Sequence, residues 1–490
     1  MNLYDKEIIR GYEAIKQKAI AAYHKGNTSQ SILWVERATN VANQLNWKYS
    51  DEQLDNLMDD LSAQMISPRE SESKNKGKRV VFYDQYGKSF ILALQYIYAL
   101  VSYGYDILYI LSDYVKANQE TFIIDELSGM ENMTVKVVSS KLTYQQRAEY
   151  IYRLTVEYAP EMIFLHVKAF SVFNLVLPSL PQNITKYYID LQDHAFWIKN
   201  NNIDYVLPYR DWGATIDIEK RGFKETQVLK VPYYPIVGKT EFQGFPKETA
   251  GSVIIFTGGN YYKTIDLENT YWNLIVRLLA ENPNAVILYA GKEKSDEQNV
   301  ALHRFAKGND IYKRLIPLGF RTDINEVFAH CDIYMGTTPM SGGLMCQYAA
   351  YNNKPILQYY CQDMAANNET EQVINYNGST KISYTDITDF LCEAKRLIED
   401  EAYRLHRGKE LYDCLIRKEQ FHQLLKQTID THKTQVQIQK QIINYKVFTN
   451  WWFYLEKRGI SKSRDYLLSL LKRRKYFVMP LSSIWKIVNK

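Results

Sequence analysis

The segment TTPMSGGL, residues 337–344, has the most specific arrangement of residues suited to binding an anion. It follows a β-rich run and precedes an apolar run with helical spacing, so Ser341, Gly342 and Gly343 fall at the start of a helix. Backbone N–H groups at a helix start carry partial positive charge and suit a diphosphate, and Thr338 lies in the same loop. A plain glycine turn is the alternative interpretation.

Two other loops in the same half of the chain contain residues suited to phosphate. Gly258 and Gly259 end an apolar run, and Lys263 follows them. Glycines let phosphate oxygens approach the backbone and a lysine offsets their charge, although a tight turn also explains the glycine pair. Arg321, before a later helix-like run, can reach a diphosphate or can be an exposed loop residue. Because the three segments follow successive predicted strands, one shared anion site is favoured.

Candidate groups for proton transfer lie in the first half of the chain, in the loop LQDHAFW at residues 191–197. His194 can take a proton from a hydroxyl group near neutral pH, and Asp190 or Asp193 can orient it. Trp197 offers a ring face on which a sugar can pack. A buried histidine packed on aromatic rings is the alternative interpretation of this loop.

Alternating strand-like and helix-like runs must position these groups. One series begins with RVVFYD at residues 79–84, includes a strand that leads to His166, a rival to His194, and is predicted to end with the strand QVLKVPYY at residues 227–234. A second series begins near Gly251. Such alternation predicts βαβ units, right-handed crossovers and doubly wound parallel sheets. We therefore predict two α/β domains whose candidate residues follow the carboxyl ends of strands.

The rest of the chain is predicted to be mainly helical. Residues 1–66 carry apolar residues at helical spacing and form an N-terminal helical extension, and the polar residues 67–78 form a linker. Residues 386–445 form further helices. The basic and aromatic tail at 446–490 suits either a helix on an anionic membrane surface or a helix pair packed on the protein.

Composition argues against several classes of function. A formal net charge of +5 over 490 residues is mild and indicates no nucleic-acid partner. The five cysteines form no CxxC pair, which argues against a disulfide framework or a zinc site, and no other pattern of metal ligands is present, so no catalytic metal is predicted. The N-terminus lacks the apolar core of a signal peptide, and polar residues interrupt the apolar stretch at 90–111, so a cytoplasmic protein is predicted.

Three segments together resemble the donor domain of group-1-like bacterial GT-B glycosyltransferases. They are the strand with TGG, the segment GFRTDINEVF, and the segment TPMSGGL with the later YAAYNNKPIL. The resemblance implies two Rossmann-like doubly wound α/β domains, an acceptor domain at 79–245 and a donor domain at 246–385, besides the helical extension and tail. It implies donor contacts for Gly258, Gly259, Lys263, Arg321, Ser341, Gly342 and Gly343. Many family members carry Glu where this chain has Gln347, which can still hydrogen-bond a ribose hydroxyl.

The DHAFW segment resembles a block in the N-terminal lobe of some bacterial GT-B enzymes. In this family the loop after the first strand faces the acceptor, which implies acceptor contacts for Tyr86, Gly87 and Ser89. The implied function is transfer of a sugar from a nucleotide-diphosphate sugar, without a further cofactor, to a glycan, lipid-linked or protein acceptor in bacterial surface polysaccharide or glycoconjugate synthesis. A nucleotide-sugar epimerase of the same fold and a catalytically silent GT-B partner or glycan-binding subunit are the alternatives.

Overall fold

The computed structural model of the chain divides into two compact units. It describes residues 3–67, 77–87, 92–112, 122–238, 240–291, 302, 304–361, 364 and 369–461. Of these residues, unit 1 contains those within Met1–Val231, Glu419–Gln441 and Trp452–Lys490, and unit 2 contains those within Pro232–Lys418 and Ile442–Trp451.

Unit 1 contains a parallel sheet whose strand order is β3-β2-β1-β4-β5-β6. Its strands are β1 Arg79–Asp84, β2 Asp106–Leu111, β3 Met133–Val137, β4 Met162–His166, β5 Thr185–Asp190 and β6 Tyr205–Pro208. Its helices include α1 Leu3–His24, α2 Thr28–Leu45, α3 Glu52–Met65, α4 Leu92–Ser102, α5 Phe122–Ser128, α6 Tyr144–Tyr158 and α7 Asp211–Glu219. The central strands are apolar and almost wholly buried, as expected for a parallel sheet covered on both faces.

The N-terminal helices α1 to α3 belong to the same hydrophobic core as this sheet. Apolar side chains at helical spacing, such as Ile8, Tyr12 and Ile15, are buried. Side-chain caps define the starts of the next two helices, since Asn27 accepts from the backbone N–H of Gln30 and the Asp51 carboxylate accepts from those of Gln53 and Leu54. The extension is therefore packed as part of unit 1.

Unit 2 repeats the same arrangement, with the strand order β12-β11-β10-β7-β8-β9. Its strands are β7 Val253–Gly258, β8 Ala285–Ala290, β9 Leu315–Gly319, β10 Ile333–Met335, β11 Ile356–Tyr359 and β12 Ser383–Tyr384. Its helices include α8 Thr270–Glu281, α9 Ile324–His330, α10 Gly343–Tyr351, α11 Glu369–Val373, α12 Ile387–Glu399 and α13 Glu401–Cys414. Two such sheets confirm the predicted class of two doubly wound α/β units.

The predicted strand at 227–234 is wrong. In the structure this segment forms a single parallel bridge, between Val206 and Val228, and then runs beside β6. The N–H groups of Leu229 and Val231 donate to β6 carbonyls, but Pro232 follows and has no N–H group to extend a ladder. The two-residue strand β12 was not predicted, because so short a strand has no periodicity to detect.

The C-terminal helices are α14 Lys418–Thr431 and α15 Tyr445–Ser461, and residues 462–490 of the predicted tail lie outside the described residues. Within α15, Trp451 and Phe453 are buried, and the Phe453 ring approaches that of Trp47. These two side chains are therefore not available to a membrane surface. Among the described helices, none has the length and apolar character needed to cross a bilayer.

Candidate functional site

The carboxyl end of β7 in unit 2 holds the predicted glycine pair. A Cβ atom at Gly258 would lie 2.1 Å from the carbonyl oxygen of Ala290 in the neighbouring strand, so this glycine is required by close packing within the sheet. Gly259 has a φ of +146°, which a residue with a side chain rarely adopts. Both glycines therefore have structural reasons for their presence, and the predicted donor contact of Gly258 is not needed to explain it.

Lys263 connects the loop after β7 to the loop before α10. Its ammonium group donates to the carbonyl oxygen of Ser341 at 2.7 Å, and the N–H of Met340 donates to the Lys263 carbonyl. Gly342 is the N-cap residue of α10, and no side chain in the described part of the chain caps this helix start. A cation and an uncapped helix N-terminus thus lie together, which is the combination that binds phosphate groups.

The loop at 337–341 is held by hydrogen bonds from buried side chains. The Thr337 hydroxyl donates to the Met340 carbonyl at 2.6 Å, and the Tyr360 hydroxyl lies 3.4 Å from that of Ser341. Thr338 is completely buried, and its hydroxyl has no hydrogen-bond partner among the described residues. Several hydrogen bonds therefore hold the loop around one buried hydroxyl that the described residues leave unsatisfied.

Three residues that the sequence reasoning missed support this loop. Gln358, Tyr360 and Thr370 are buried, and the Gln358 amide donates to the Thr337 carbonyl while the Tyr360 and Thr370 hydroxyls lie 3.0 Å apart. Gly336 leaves room for the Gln358 side chain, since a Cβ there would lie 1.7 Å from the Gln358 amide oxygen. A glutamine within the apolar run KPILQYY was the available sequence signal.

Arg321 does not lie free for a diphosphate. Its guanidinium donates to both carboxylate oxygens of Asp323, at 2.7 and 2.6 Å, and to the carbonyl of Gly244 at 2.9 Å. Asp323 also accepts from the N–H of Gln243 at 2.8 Å. The geometry therefore gives Arg321 a bracing contact to the segment at 243–244.

Gln347 is likewise occupied by protein contacts. Its side chain is buried, and its amide nitrogen donates to the carbonyls of Val373 at 3.0 Å and Tyr233 at 3.4 Å. These contacts join α10 to α11 and to the segment that begins unit 2. In the predicted contact with ribose, the ribose hydroxyl would have to donate to the amide oxygen of this side chain.

In unit 1, Asp84 and His166 form a buried pair at the carboxyl ends of β1 and β4. His166 Nδ1 lies 3.0 Å from Asp84 Oδ1, and both side chains are completely buried. Asp84 also accepts from the Tyr109 hydroxyl and from the N–H groups of Tyr86 and Gly87. Burial raises the pKa of Asp84, but His166 and these donors outweigh it and leave the pKa below its usual range.

These contacts bear on the predicted acceptor residues. Tyr86 is 5% exposed, with its ring centroid 4.7 Å from that of His166, and the Gly87 φ of +48° follows from the turn around Asp84. His166 has no exposed surface in this conformation, which removes it as a rival base that meets a substrate directly. Ser89 lies outside the described residues.

The predicted catalytic acids are buried ion-pair partners. Asp190 pairs with Arg221 at 3.2 Å, and Asp193 pairs with Arg210 through two hydrogen bonds, at 2.6 and 2.9 Å. Burial raises the pKa of Asp190 to about 6. Burial also opposes ionisation of Asp193, but Arg210 dominates and holds its pKa below the usual range. Neither carboxylate reaches solvent, so neither contacts a substrate in this conformation.

His194 keeps part of its surface in solvent. Its side chain is 28% exposed, its Nδ1 lies 3.4 Å from Asp193 Oδ1, and its ring is nearly parallel to that of Trp452, with centroids 6.1 Å apart. The Asp193 carboxylate therefore faces the imidazole of the residue that follows it. An imidazole with one nitrogen facing a carboxylate and an exposed edge can accept a proton.

The predicted sugar-stacking role of Trp197 is wrong. The ring is completely buried and stacks on Tyr188, with centroids 4.0 Å apart. The Arg221 guanidinium lies 4.7 Å from the Trp197 ring centroid. Trp197 ends the loop at 191–197 and packs in the core, where burial of its large ring stabilises the fold.

Comparisons with known proteins give the fold. No protein-family model matches the chain, and no curated protein matches it. Among solved structures, HepE (Alr3699) of Anabaena with UDP-glucose is 15% identical over 72% of this chain and 99% of its own, with a TM-score of 0.52. A mutant O-GlcNAc transferase of Thermobaculum terrenum is 13% identical over 91% and 85%, with a TM-score of 0.53.

An epimerase has a similar degree of likeness. A putative UDP-N-acetylglucosamine 2-epimerase of Listeria monocytogenes is 10% identical over 75% of this chain and 99% of its own, with a TM-score of 0.50. At such identities the likeness concerns the backbone alone. The chain therefore has the GT-B fold that the order of its motifs predicts.

Proposed function

We propose that the protein is a glycosyltransferase that moves a sugar from a nucleotide-diphosphate sugar to an acceptor hydroxyl. One observation carries the proposal: Lys263 and the start of α10, which are 80 positions apart in the sequence, meet through the hydrogen bond to Ser341. A diphosphate carries several negative charges. This junction offers an ammonium group, helix N–H groups and the Thr338 hydroxyl, which has no hydrogen-bond partner within the described ranges.

The nature of the similar structures supports a nucleotide sugar as the ligand. HepE was solved with UDP and with UDP-glucose. For this chain we propose a nucleotide-diphosphate sugar in unit 2, with Gly259, Lys263, Thr338, Ser341 and Gly343 nearest the diphosphate. We further propose that unit 1 contributes His194 as the base that takes the acceptor proton, because it is the predicted catalytic group that keeps exposed surface. The acceptor class stays as predicted: a glycan, a lipid-linked saccharide or a protein.

The donor site is tested by thermal unfolding with a panel of nucleoside diphosphates and nucleotide sugars. A ligand at 100 times its dissociation constant stabilises a protein by about 2.7 kcal/mol, which gives a clear rise in Tm. We expect one nucleotide to raise Tm selectively. We expect Lys263→Met to lower the affinity for that nucleotide about 10- to 100-fold, because one charge-assisted phosphate contact is lost.

Lys395→Met is the matched control, since Lys395 is a surface residue of unit 2 whose side chain is 57% exposed. It should bind the nucleotide as the parent protein does. If no nucleotide raises Tm, or if Lys263→Met binds as tightly as Lys395→Met, the proposed donor site is wrong.

A catalytically silent GT-B protein is the second candidate, favoured by the occupation of two predicted donor residues. Arg321 is neutralised by Asp323, and the Gln347 amide donates to backbone carbonyls. A panel without any nucleotide response favours this candidate. The epimerase alternative predicts that a bound nucleotide sugar is rearranged and released without an acceptor.

A further inference from the structure

We propose that Arg210 and Arg221 are positioning residues that hold the His194 loop, residues 190–197, in one conformation, and that the N-terminal helices complete this support. The inference rests on the proposed role of His194. It concerns the two arginines on either side of α7 and two asparagines at the end of α2, none of which is explained by the donor site. It would give the N-terminal helical extension a part in catalysis.

Arg221, just after α7, holds the backbone of the loop. One of its terminal nitrogens donates to Asp190 at 3.2 Å and to Asp217 at 2.8 Å. The other donates to the carbonyls of Asp193 at 3.0 Å and Ala195 at 2.6 Å, on either side of His194. A planar guanidinium with several fixed donors determines the backbone path where a single-point cation does not.

Arg210, just before α7, holds the carboxylate that faces His194. Its two hydrogen bonds fix both oxygens of Asp193, and Asp193 Oδ1 then lies 3.4 Å from His194 Nδ1. Gly213, in the first turn of α7, leaves space for Asp193, since a Cβ there would lie 2.8 Å from that of Asp193. The Asp193 carboxylate therefore has little freedom to rotate, and the imidazole that pairs with it inherits that restriction.

The N-terminal helices hold the other side of the loop. The Asn43 amide donates to the Phe196 carbonyl at 2.8 Å and to the Gln192 amide oxygen at 3.2 Å. The Phe196 N–H donates to the Asn46 amide oxygen at 3.2 Å. Side chains from α2 thus satisfy polar groups on both sides of His194, which a loop held by unit 1's sheet alone would leave to water.

The electrostatics of the cluster suit positioning better than stability. Asp190, Asp193 and Asp217 are buried with two arginines, and buried ion pairs of this kind often contribute little net stability because desolvation opposes their attraction. Such a network favours one arrangement of its side chains, because each carboxylate must lie within hydrogen-bonding distance of the arginine that pairs with it. Asp190 and Asp193 are among the charged groups that interact electrostatically with the His194 ring.

The test reads the His194 ring directly by NMR of protein labelled with ¹⁵N-histidine, with the His194 signal assigned by His194→Gln. In the parent protein we expect distinct shifts for the two ring nitrogens, because Asp193 favours the proton on Nδ1. In Arg210→Lys and in Asn43→Ala we expect the two shifts to move toward each other or to broaden, as the ring loses its fixed partner.

Asn40→Ala is the matched control, because Asn40 is an exposed residue of the same helix as Asn43. It should leave the His194 signal unchanged. Arg210→Lys removes a buried guanidinium and is expected to lower stability, whereas Asn43 lies at the edge of the core, so Asn43→Ala keeps the test valid in a folded protein. If the His194 signal of folded Asn43→Ala and of folded Arg210→Lys equals that of Asn40→Ala, the positioning role is wrong.

A second readout separates this inference from the proposed function. Once a donor is found, Asn43→Ala should lower kcat at least about tenfold with an unchanged donor KM, since misplacing a base affects the transition state and not donor binding. If no nucleotide raises Tm, the proposed function is wrong, and the NMR result alone then tests whether these residues position the His194 loop. A normal donor response with an unchanged His194 signal would defeat the positioning role alone.

Discussion

The two sheets have the same strand order, but the residues at the carboxyl ends of their strands differ in kind. In unit 1 the strand ends are followed by buried charges that are paired, such as Asp84 with His166 and Asp193 with Arg210. In unit 2 they are followed by glycines, by hydroxyls such as that of Thr338, and by a helix start. The strand ends of unit 1 therefore present buried charges that pair with one another. Those of unit 2 present glycines, hydroxyls and a helix start beside the Lys263 ammonium, with an ion pair, Arg321–Asp323, after β9.

This difference fits two separate tasks. Backbone N–H groups and hydroxyls can donate hydrogen bonds to an anion and carry no negative charge that would repel it. This suits the proposed donor site in unit 2. Fixed ion pairs suit the orientation of a single proton-transferring side chain, as proposed for His194 in unit 1. Identical topology thus says little about chemistry, and the residues just beyond the strands decide it.

The largest expected effect comes from removing an arginine in each unit. Arg221→Met leaves Asp190 and Asp217 buried without their cation and should cost about 3–5 kcal/mol of unfolding free energy. Arg321→Met removes a guanidinium from a single carboxylate, Asp323, which keeps the hydrogen bond from Gln243, and should cost about 1–3 kcal/mol. Calorimetry measures both, and equal losses would contradict the contrast drawn between the two units.

The second prediction concerns how stability depends on pH. The direction of this dependence differs between the two units. Burial raises the pKa of Asp55, which accepts from the Lys199 N–H beside the His194 loop, to about 7. The folded protein then holds a proton that the unfolded chain has released, so this residue's contribution makes stability fall as pH rises from about 4 to about 7. Asp55→Asn keeps an acceptor oxygen, removes this fall, and should gain about 2–4 kcal/mol at pH 8.

In unit 2, hydrogen bonds from Arg321 lower the pKa of Asp323. Its contribution is present above the ordinary carboxylate range and is lost as pH falls through the lowered value. Denaturant midpoints at a series of pH values, measured for the parent protein, Asp55→Asn and Asp323→Asn, separate the two directions. A pH profile that Asp55→Asn leaves unaltered between pH 4 and 7 would contradict the burial effect.

The third prediction separates a glycine that close packing requires from one that packing does not require. Gly258→Ala places a methyl group against the Ala290 carbonyl and should cost about 1–3 kcal/mol or more. Gly342→Ala places its methyl group in ordinary contact with the Met345 side chain, at 3.4 Å, and should cost less than about 1 kcal/mol at this N-cap position. Thermal unfolding of both variants without ligand tests the difference, and a Gly342→Ala protein as unstable as Gly258→Ala would contradict it.

Much of the fold could be predicted from the sequence because its strands are short apolar runs that end at polar residues. The predicted strand RVVFYD at 79–84 has the same bounds in the structure. The strand predicted at 227–234 was wrong because apolar residues that run beside an edge strand have the same sequence pattern as a strand. Only Pro232 indicated that the pairing stops.

The candidate site was less predictable, because its decisive contacts join distant residues. Lys263 and Ser341 were both predicted as donor residues, but nothing local indicated that they bond to each other. Asn43 lies 153 positions before Phe196, so no pattern could connect the N-terminal helix to the His194 loop. Arg321 is the exception, since an acid two positions later was a local signal that its charge is neutralised.

The smallest expected effect gives the most direct test of the unit 2 site. Thr338→Val replaces a buried hydroxyl that has no partner among the described residues with a methyl group of similar shape, so stability without ligand should stay within about 1 kcal/mol of the parent protein. Thr337→Val is its matched control, because the Thr337 hydroxyl donates to the Met340 carbonyl, and its loss should cost about 1–3 kcal/mol. If the Thr338 hydroxyl binds the donor, the nucleotide-induced rise in Tm should shrink in Thr338→Val although the unliganded protein is unchanged. A full nucleotide response in Thr338→Val would remove this hydroxyl from the donor site and leave its burial as a feature of the fold.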